Sequence, residues 1–272
     1  MSFNTQLGKP HLTAIASGKG GTGKTLLATA LAHALAQEGE RVLLCDADLG
    51  LSNTSVHLGL DDCGDLPGFL SGDAALTEAV APVLGGADSR GGFDIIAAPS
   101  GSGALANLGE PGAQTLLAKL KTAKNYDRVV LDLSAGVDAA VMRFAASSDE
   151  VLLVFTPDPA ALTDAYAFVK LLQRMVPNRL PDMLVNMAAN EAEARRTAEA
   201  LTATCKAFLK SAPPYLGAVP RDAGALDAVR RQAGLLTLYP QSPAAVAVTT
   251  AAKKLHGRLR PGSAPLRAVG GR

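Results

Sequence analysis

The sequence predicts an α/β fold, a doubly wound and mostly parallel sheet with helices on both faces. Three observations lead there. Short apolar runs alternate with Ala- and Leu-rich helical stretches along most of the 272 residues, as buried parallel strands joined by crossover helices require. A glycine-dense stretch, Gly18 to Gly23, separates the first apolar run from the first helical segment. Two later runs each end on an aspartate, Asp46 and Asp132, and in an open sheet of this kind ligands bind beyond the carboxyl ends of the strands.

In order along the chain, strands are expected near 12–17, 41–46, 93–98, 128–133, 150–156, 182–187 and 214–219. Helices are expected near 24–38, 112–124, 138–147, 160–176, 191–210, 222–233 and 243–259. Pro157 and Pro159 stop the fifth strand and start the next helix, since proline suits the first helical turn. Residues 191–210 place Ala198, Leu201, Cys205, Phe208 and Leu209 on one helical face and leave Arg195, Arg196 and Lys206 to the other. Glycine-rich 85–92 and 101–112 read as surface loops, and the stretch from 49 to 55 is short and polar enough to move. A single domain over 1–260 is expected, followed by a disordered basic tail over 261–272 rich in Gly, Pro and Arg.

Composition narrows the function classes. A hydrophobic content of 48% supplies a full core. No apolar run reaches the ~18 residues that span a bilayer, and the first residues carry no charged-then-apolar signal, so a cytoplasmic protein is expected. A net charge of +1 gives no whole-surface attraction to nucleic acid, and no specific nucleic-acid partner is expected. Cys45, Cys63 and Cys205 stand far apart, without disulfide or zinc spacing. From Arg230 onward there is no acidic residue, and a basic last helix with Val246, Leu255 and Leu259 as anchors could hold an anionic membrane surface.

The glycine stretch carries the chemistry. Gly18, Gly23, Lys24 and Thr25 fit G-x-x-x-x-G-K-[ST], the phosphate-cradling P-loop. Its glycines let successive backbone N–H groups turn inward, while the positive end of the following helix meets phosphate charge. Lys24 would reach the β- and γ-phosphates of ATP and Thr25 a magnesium ion. Gly18, Gly20 and Gly23 also satisfy G-x-G-x-x-G, with Asp46 about twenty residues on as a dinucleotide fold requires. Lys24-Thr25 at the helix start and a second acid, Asp48, favour the phosphate-loop reading. Asp48 would face the γ-phosphate, although an aspartate there also serves as a helix cap. Asp127-Arg-Val-Val-Leu-Asp132 has the Walker-B form, in which the final carboxylate supports magnesium. Gly136 would then bring a backbone N–H to the γ-phosphate, or simply form a strand-to-helix turn.

Taken together, these residues resemble the MinD/ParA group of P-loop ATPases, whose deviant Walker A loop carries an extra lysine near its start. Here that is Lys19, in Gly18-Lys-Gly-Gly-Thr-Gly-Lys-Thr25. Within the group the chain is most similar to the flagellar number regulators FlhG/FleN, on Asp46-Ala-Asp-Leu-Gly-Leu-Ser-Asn53, Thr156-Pro-Asp-Pro159, Leu184-Val-Asn-Met187, Tyr215-Leu-Gly-Ala-Val-Pro-Arg-Asp222 and Tyr239-Pro-Gln-Ser-Pro243. The resemblance implies a switch that is monomeric without ATP, dimerises with it and is reset by slow hydrolysis. Lys19 would reach the partner's nucleotide and Asp48 position the attacking water. Gly18, Gly20, Gly21, Thr22, Gly23, Lys24, Thr25 and Gly136 would bind phosphates, and Asn186, Pro220, Arg221 and Asp222 the adenine. Thr25, Asp46 and Asp132 would serve the Mg2+. Implied partners are a second copy of the chain, a flagellar transcription activator and an FlhF-type GTPase. The same site would serve two other outputs, a ParA-type ATPase positioning DNA or cell-pole cargo and an ATP-dependent small-molecule synthetase.

Overall fold

The structure, a computed structural model, describes residues 8–48, 53–99 and 109–259. The expectations for the loop at 49–52, the glycine-rich loop at 101–108 and the tail at 261–272 lie outside the described residues. In chain order the elements are β1 (His11–Ser17), α1 (Lys24–Gln37), β2 (Val42–Ala47), α2 (Thr54–Leu58), α3 (Leu66–Ser71), α4 (Leu76–Ala79), β3 (Ala81–Val83), β4 (Phe93–Ile96), α5 (Gly109–Leu120) and β5 (Arg128–Ala135). There follow α6 (Ala139–Ser147), β6 (Glu150–Phe155), α7 (Pro159–Met175), β7 (Asp182–Ala188), α8 (Glu191–Leu209), β8 (Tyr215–Pro220), α9 (Ala223–Arg230), α10 (Leu235–Leu238) and α11 (Pro243–Leu259).

The eight strands form one sheet in the order β3-β4-β2-β5-β1-β6-β7-β8. Every neighbouring pair is parallel except β3 with β4. The seven expected strands are all present. The eighth, β3, has three residues with Pro82 at its centre, and an edge position tolerates a proline that cannot donate to a ladder. Helices α2, α3, α4 and α10 were not expected either, because four to six residues are too few for a helical period to show. Gly109–Pro111, read as loop, begins α5.

Alternation along the buried strands builds two cores. Leu12, Ala14, Leu43, Leu131, Leu153 and Phe155 face α5 to α8, whereas Ile15, Leu44, Val130, Leu152 and Val154 face α1 and α9 to α11. On α8, Ala198, Leu201 and Cys205 enter the first core, but Phe208 is 73% exposed and only leans edge-on against Tyr166. Phe208 sits in the last turn, where the helix outruns the sheet beneath it.

The strand starts are fastened by charge. The Arg128 guanidinium is 0% exposed. It donates to both oxygens of Glu40 at 2.7 and 3.3 Å, to Thr13 Oγ1 at 2.6 Å, to Glu150 Oε2 at 3.1 Å and to the Leu255 carbonyl at 3.2 Å. From α11, His256 Nδ1 meets Glu40 Oε1 at 2.8 Å, and Arg258 pairs with Glu150 and with Asp182. Lys254 donates to the Leu216 carbonyl. The last helix therefore directs Lys254, His256 and Arg258 to the sheet and its margin, leaves Lys253 exposed and buries Leu255 in the core. Of the three anchors expected to meet a membrane, Val246 is the exposed one.

At the opposite edge, the turn after β1 packs on α7. A Cβ added at Gly18 would lie 2.4 Å from the Asp164 carbonyl oxygen, whereas one at Gly20 would meet nothing within 4 Å.

Two stability predictions follow from these contacts. Arg128→Ala removes the buried cation that Glu40 and Glu150 share, leaving them only His256 and Arg258, and is expected to cost about 3–5 kcal/mol in urea unfolding; a midpoint unchanged from the parent would contradict this. Gly18→Ala overpacks a backbone contact and is expected to cost about 1–3 kcal/mol. Gly20→Ala, in open space, should stay within about 0.5 kcal/mol, so equal losses for the two variants would refute the packing argument.

Candidate functional site: a phosphate loop between three aspartates

The loop from Gly18 to Gly23 joins β1 to α1 at the carboxyl edge of the sheet. Gly21 and Gly23 have φ of 76° and 85°, a region that side chains with a Cβ avoid, and Gly23 caps α1. Ser17 Oγ donates to the Lys19 carbonyl at 2.8 Å. Asn186 reaches in from β7, and its Nδ2 donates to the Thr22 carbonyl at 2.7 Å. A Cβ at Gly23 would fall 2.4 Å from that nitrogen, so the glycine is required by space as well as by φ. The loop is thus braced before any ligand arrives. Thr22 Oγ1, beneath the loop, is buried without a hydrogen-bond partner.

Parallel register brings the three aspartates together. Asp46 pairs with Asp132 across β2 and β5, and Ala47 with Leu133. Asp132 is 2% exposed. Burial and then the neighbouring Asp46 push its carboxyl up to about 7, against the opposing hydrogen bond from Thr25 and the charge of Lys24. Its Oδ1 has no partner. An orphaned carboxylate oxygen beside a threonine hydroxyl fits a hard divalent cation such as Mg2+, which keeps several waters and takes few protein ligands. Among the described residues no group of three or more His, Cys, Asp or Glu could enclose a metal, so Thr25 and Asp132 would hold the ion together with phosphate and water oxygens.

Asp46, also expected at the metal, accepts hydrogen bonds from the chain on both oxygens. Its Oδ1 accepts from the Asp48 amide, and its Oδ2 from the amides of Asn53 and Thr54 and the Thr54 hydroxyl, at 2.8 to 3.1 Å. The carboxylate ties the start of α2 back to β2 and so places the segment bearing Asp48. Asp48 Oδ1 accepts from Ser134 Oγ at 2.9 Å. Gly136, at φ 110°, donates its amide to the Ser17 carbonyl at 2.9 Å. The N–H expected to meet the γ-phosphate is therefore spent on β1 in this structure.

Lys19 stands at the rim, and its Nζ lies 3.1 Å from Asp158 Oδ1, with both side chains more than a third exposed. Asp158 caps α7. The Thr156 hydroxyl, the Ala161 amide and Lys19 hold its carboxyl down at about 2, so Asp158 is ionised at neutral pH. Solvent exposure keeps it weak, at about 1 kcal/mol or less.

The residues expected to meet the adenine lie at the ends of β7 and β8, where Asn186 pairs with Val219 and Ala188 with Pro220. The Arg221 amide donates to the Ala188 carbonyl. Asp222 accepts from the amides of Gly224 and Ala244 at 2.7 and 2.8 Å. Burial alone would raise its carboxyl, but these bonds and the Ser242 hydroxyl outweigh it and hold the group below the ordinary range. Its carboxylate thus joins the starts of α9 and α11. A separate cavity of about 550 Å³, between His33, Gln37, Arg90 and Leu236 on the far half of α1, is not lined by any of these groups.

Ser134 and Asp158 were not expected at the site. Pro-Asp-Pro marked Asp158 only as the turn before α7, and nothing in the sequence singled out Ser134 before the register of β2 and β5 was known.

Comparison with known proteins agrees with this geometry. Residues 13–235 match the family described as the CobQ/CobB/MinD/ParA nucleotide binding domain. The chain is 36% identical over 254 residues to the antiactivator FleN of Pseudomonas aeruginosa, covering 92% of this chain and 89% of that one. It is 31% identical over 264 residues to the flagellum site-determining protein YlxH of Helicobacter pylori, covering 96% and 87%. The septum site-determining protein MinD of Pyrococcus horikoshii, solved with Mg-ADP, superposes with a TM-score of 0.73 at 25% identity over 90% of this chain and 96% of that chain. The chain therefore belongs to the MinD/ParA family of nucleotide-binding domains, and it resembles the family's flagellar members over almost its whole length.

Proposed function

We propose that this protein is an ATP-dependent dimerising switch that hydrolyses ATP slowly and regulates flagellar number or placement through protein partners. The observation that carries the reading is the conjunction of a braced phosphate loop, a buried Asp132 with an orphaned oxygen beside Thr25, and a lysine, Lys19, at the exposed rim. Lys24 binds the β- and γ-phosphates and the backbone from Gly18 to Thr25 cradles them. Thr25 and Asp132 hold Mg2+, directly and through water. When bound, the ion neutralises charge that builds on the phosphates during transfer. Asp46 acts as the brace that sets the Asp48 segment, and Asp48 orients the attacking water. Asn186 and the Pro220–Asp222 turn flank the adenine. Lys19 leaves Asp158 and enters the partner's site, where a cation supplied from a second molecule can raise the rate by about 10³–10⁵.

The names of the relatives support the output. An antiactivator and a flagellum site-determining protein favour a flagellar transcription activator as one partner, with an FlhF-type GTPase as another. The reading is of a cytoplasmic protein, with peripheral placement at the inner membrane or a cell pole brought about by partners. No helix among the described residues is long and apolar enough to cross a membrane.

Three substitutions separate the roles. Lys24→Ala is expected to lose nucleotide binding in a fluorescent-ATP titration. Lys19→Ala should bind ATP yet neither dimerise in light scattering nor release phosphate. Asp48→Ala should hold an ATP-bound dimer and release phosphate at least about 10²-fold more slowly; release at the parent rate would remove the water-positioning role. In the cell, deletion of the gene should change flagellar number or placement, counted by electron microscopy. An unchanged count and position would transfer the switch to DNA or cell-pole cargo.

A further inference from the structure

In the proposed reaction Asp48 must present its carboxylate to water in one orientation, and the structure supplies a device for that on the neighbouring strand. Ala47 and Leu133 are the last pair between β2 and β5, so Asp48 and Ser134 follow that pair on adjacent segments. Ser134 Oγ then donates to Asp48 Oδ1 at 2.9 Å, while the Asp48 amide donates to Asp46 Oδ1 at 3.0 Å. The first bond fixes the carboxylate and the second its backbone. A hydroxyl donating to an ionised carboxylate makes one of the stronger neutral-to-charged hydrogen bonds.

The place of the donor matters as much as the bond. Ser134 lies two residues beyond Asp132, proposed to support the metal, and two before Gly136, whose amide is held by the Ser17 carbonyl at the root of the phosphate loop. Asp48 is thereby referenced to the strand that carries the metal-side acid and to the loop that carries the phosphates.

We infer that Ser134 is a positioning residue for hydrolysis, acting through Asp48. Its hydroxyl orders the carboxylate in advance, so that the ordering cost is not met in each turnover. Nucleotide binding and dimerisation do not use this bond. The inference rests on the proposed role of Asp48.

The test is steady-state phosphate release by the full chain, with ATP affinity and dimerisation measured alongside. Ser134→Ala is expected to lower kcat about tenfold, well short of the full loss of a catalytic carboxylate, with KM for ATP and the ATP-dependent dimer unchanged. Ser134→Thr keeps the hydroxyl and should restore kcat to within about twofold of the parent. Ser134→Val, of the same shape without the hydroxyl, should match Ser134→Ala. Equal kcat for the Thr and Val variants, or a parental kcat for Ser134→Ala while Asp48→Ala is inactive, would overturn the inference. A parental rate in Asp48→Ala would instead overturn the role of Asp48 itself, and the two failures are distinguishable.

Discussion

The fold is secured at the end of the sheet that does no chemistry, by a guanidinium that no water reaches. Arg128 opens β5, the strand between β1 and β2, and its five bonds draw in Thr13 of β1, Glu40 before β2, Glu150 of β6 and the Leu255 carbonyl of α11. Burying a charge is costly unless paired and fully hydrogen-bonded, so these partners have little freedom to shift. Arg258 extends the network to Asp182 at the start of β7. The result is a common origin for the four strands β1, β5, β6 and β7. Parallel strands that start together and run to similar lengths end together, and the carboxyl edge inherits its alignment from that origin.

That edge is built under the opposite electrostatic condition. Asp46, Asp48 and Asp132 converge, while the nearby cation is Lys24. Asp46 is satisfied by the chain itself, whereas Asp132 is left with an unpartnered oxygen and a raised pKa. Charge closure at the back and a charge deficit at the front give the sheet a rigid end and a ligand-seeking end. A divalent cation brought in with a phosphate ligand supplies the positive charge that the three carboxylates leave unmatched.

How much of this was visible in the sequence depended on the range of each interaction. The phosphate loop was legible because its requirement is local: glycines where φ is positive, then Lys24 and Thr25 at a helix start. Asp132 was legible as the end of an apolar strand. Arg128, the first residue of that strand, carried no local signal, since its partners are Thr13, Glu40, Glu150 and Leu255, far away in sequence. The run of cations in α11 suggested a membrane surface for the same reason, as the carboxylates that meet His256 and Arg258 lie in other elements. Gly136 stood out as a glycine after an acid-ended strand, whereas the bond of its N–H to the Ser17 carbonyl depends on the pairing of β1 with β5. β3 and the short helices were missed because three to six residues carry no readable period.

The two ends of the sheet also differ in what they cost to rearrange. Every bond of Arg128 is buried, and releasing one leaves a charge in a medium that cannot solvate it. Lys19 and Asp158, by contrast, are a solvated pair between a loop and a helix cap, and water replaces either partner at small expense. Asp158 loses little on release, because Thr156 and the Ala161 amide still hold its carboxylate. In the proposed switch Lys19 would therefore leave without unsettling α7, and only the charge that the rim presents would change. A cation held this lightly on a loop this firmly braced can be exchanged between two molecules without refolding either one, which is the physical requirement for coupling nucleotide binding to the meeting of two chains.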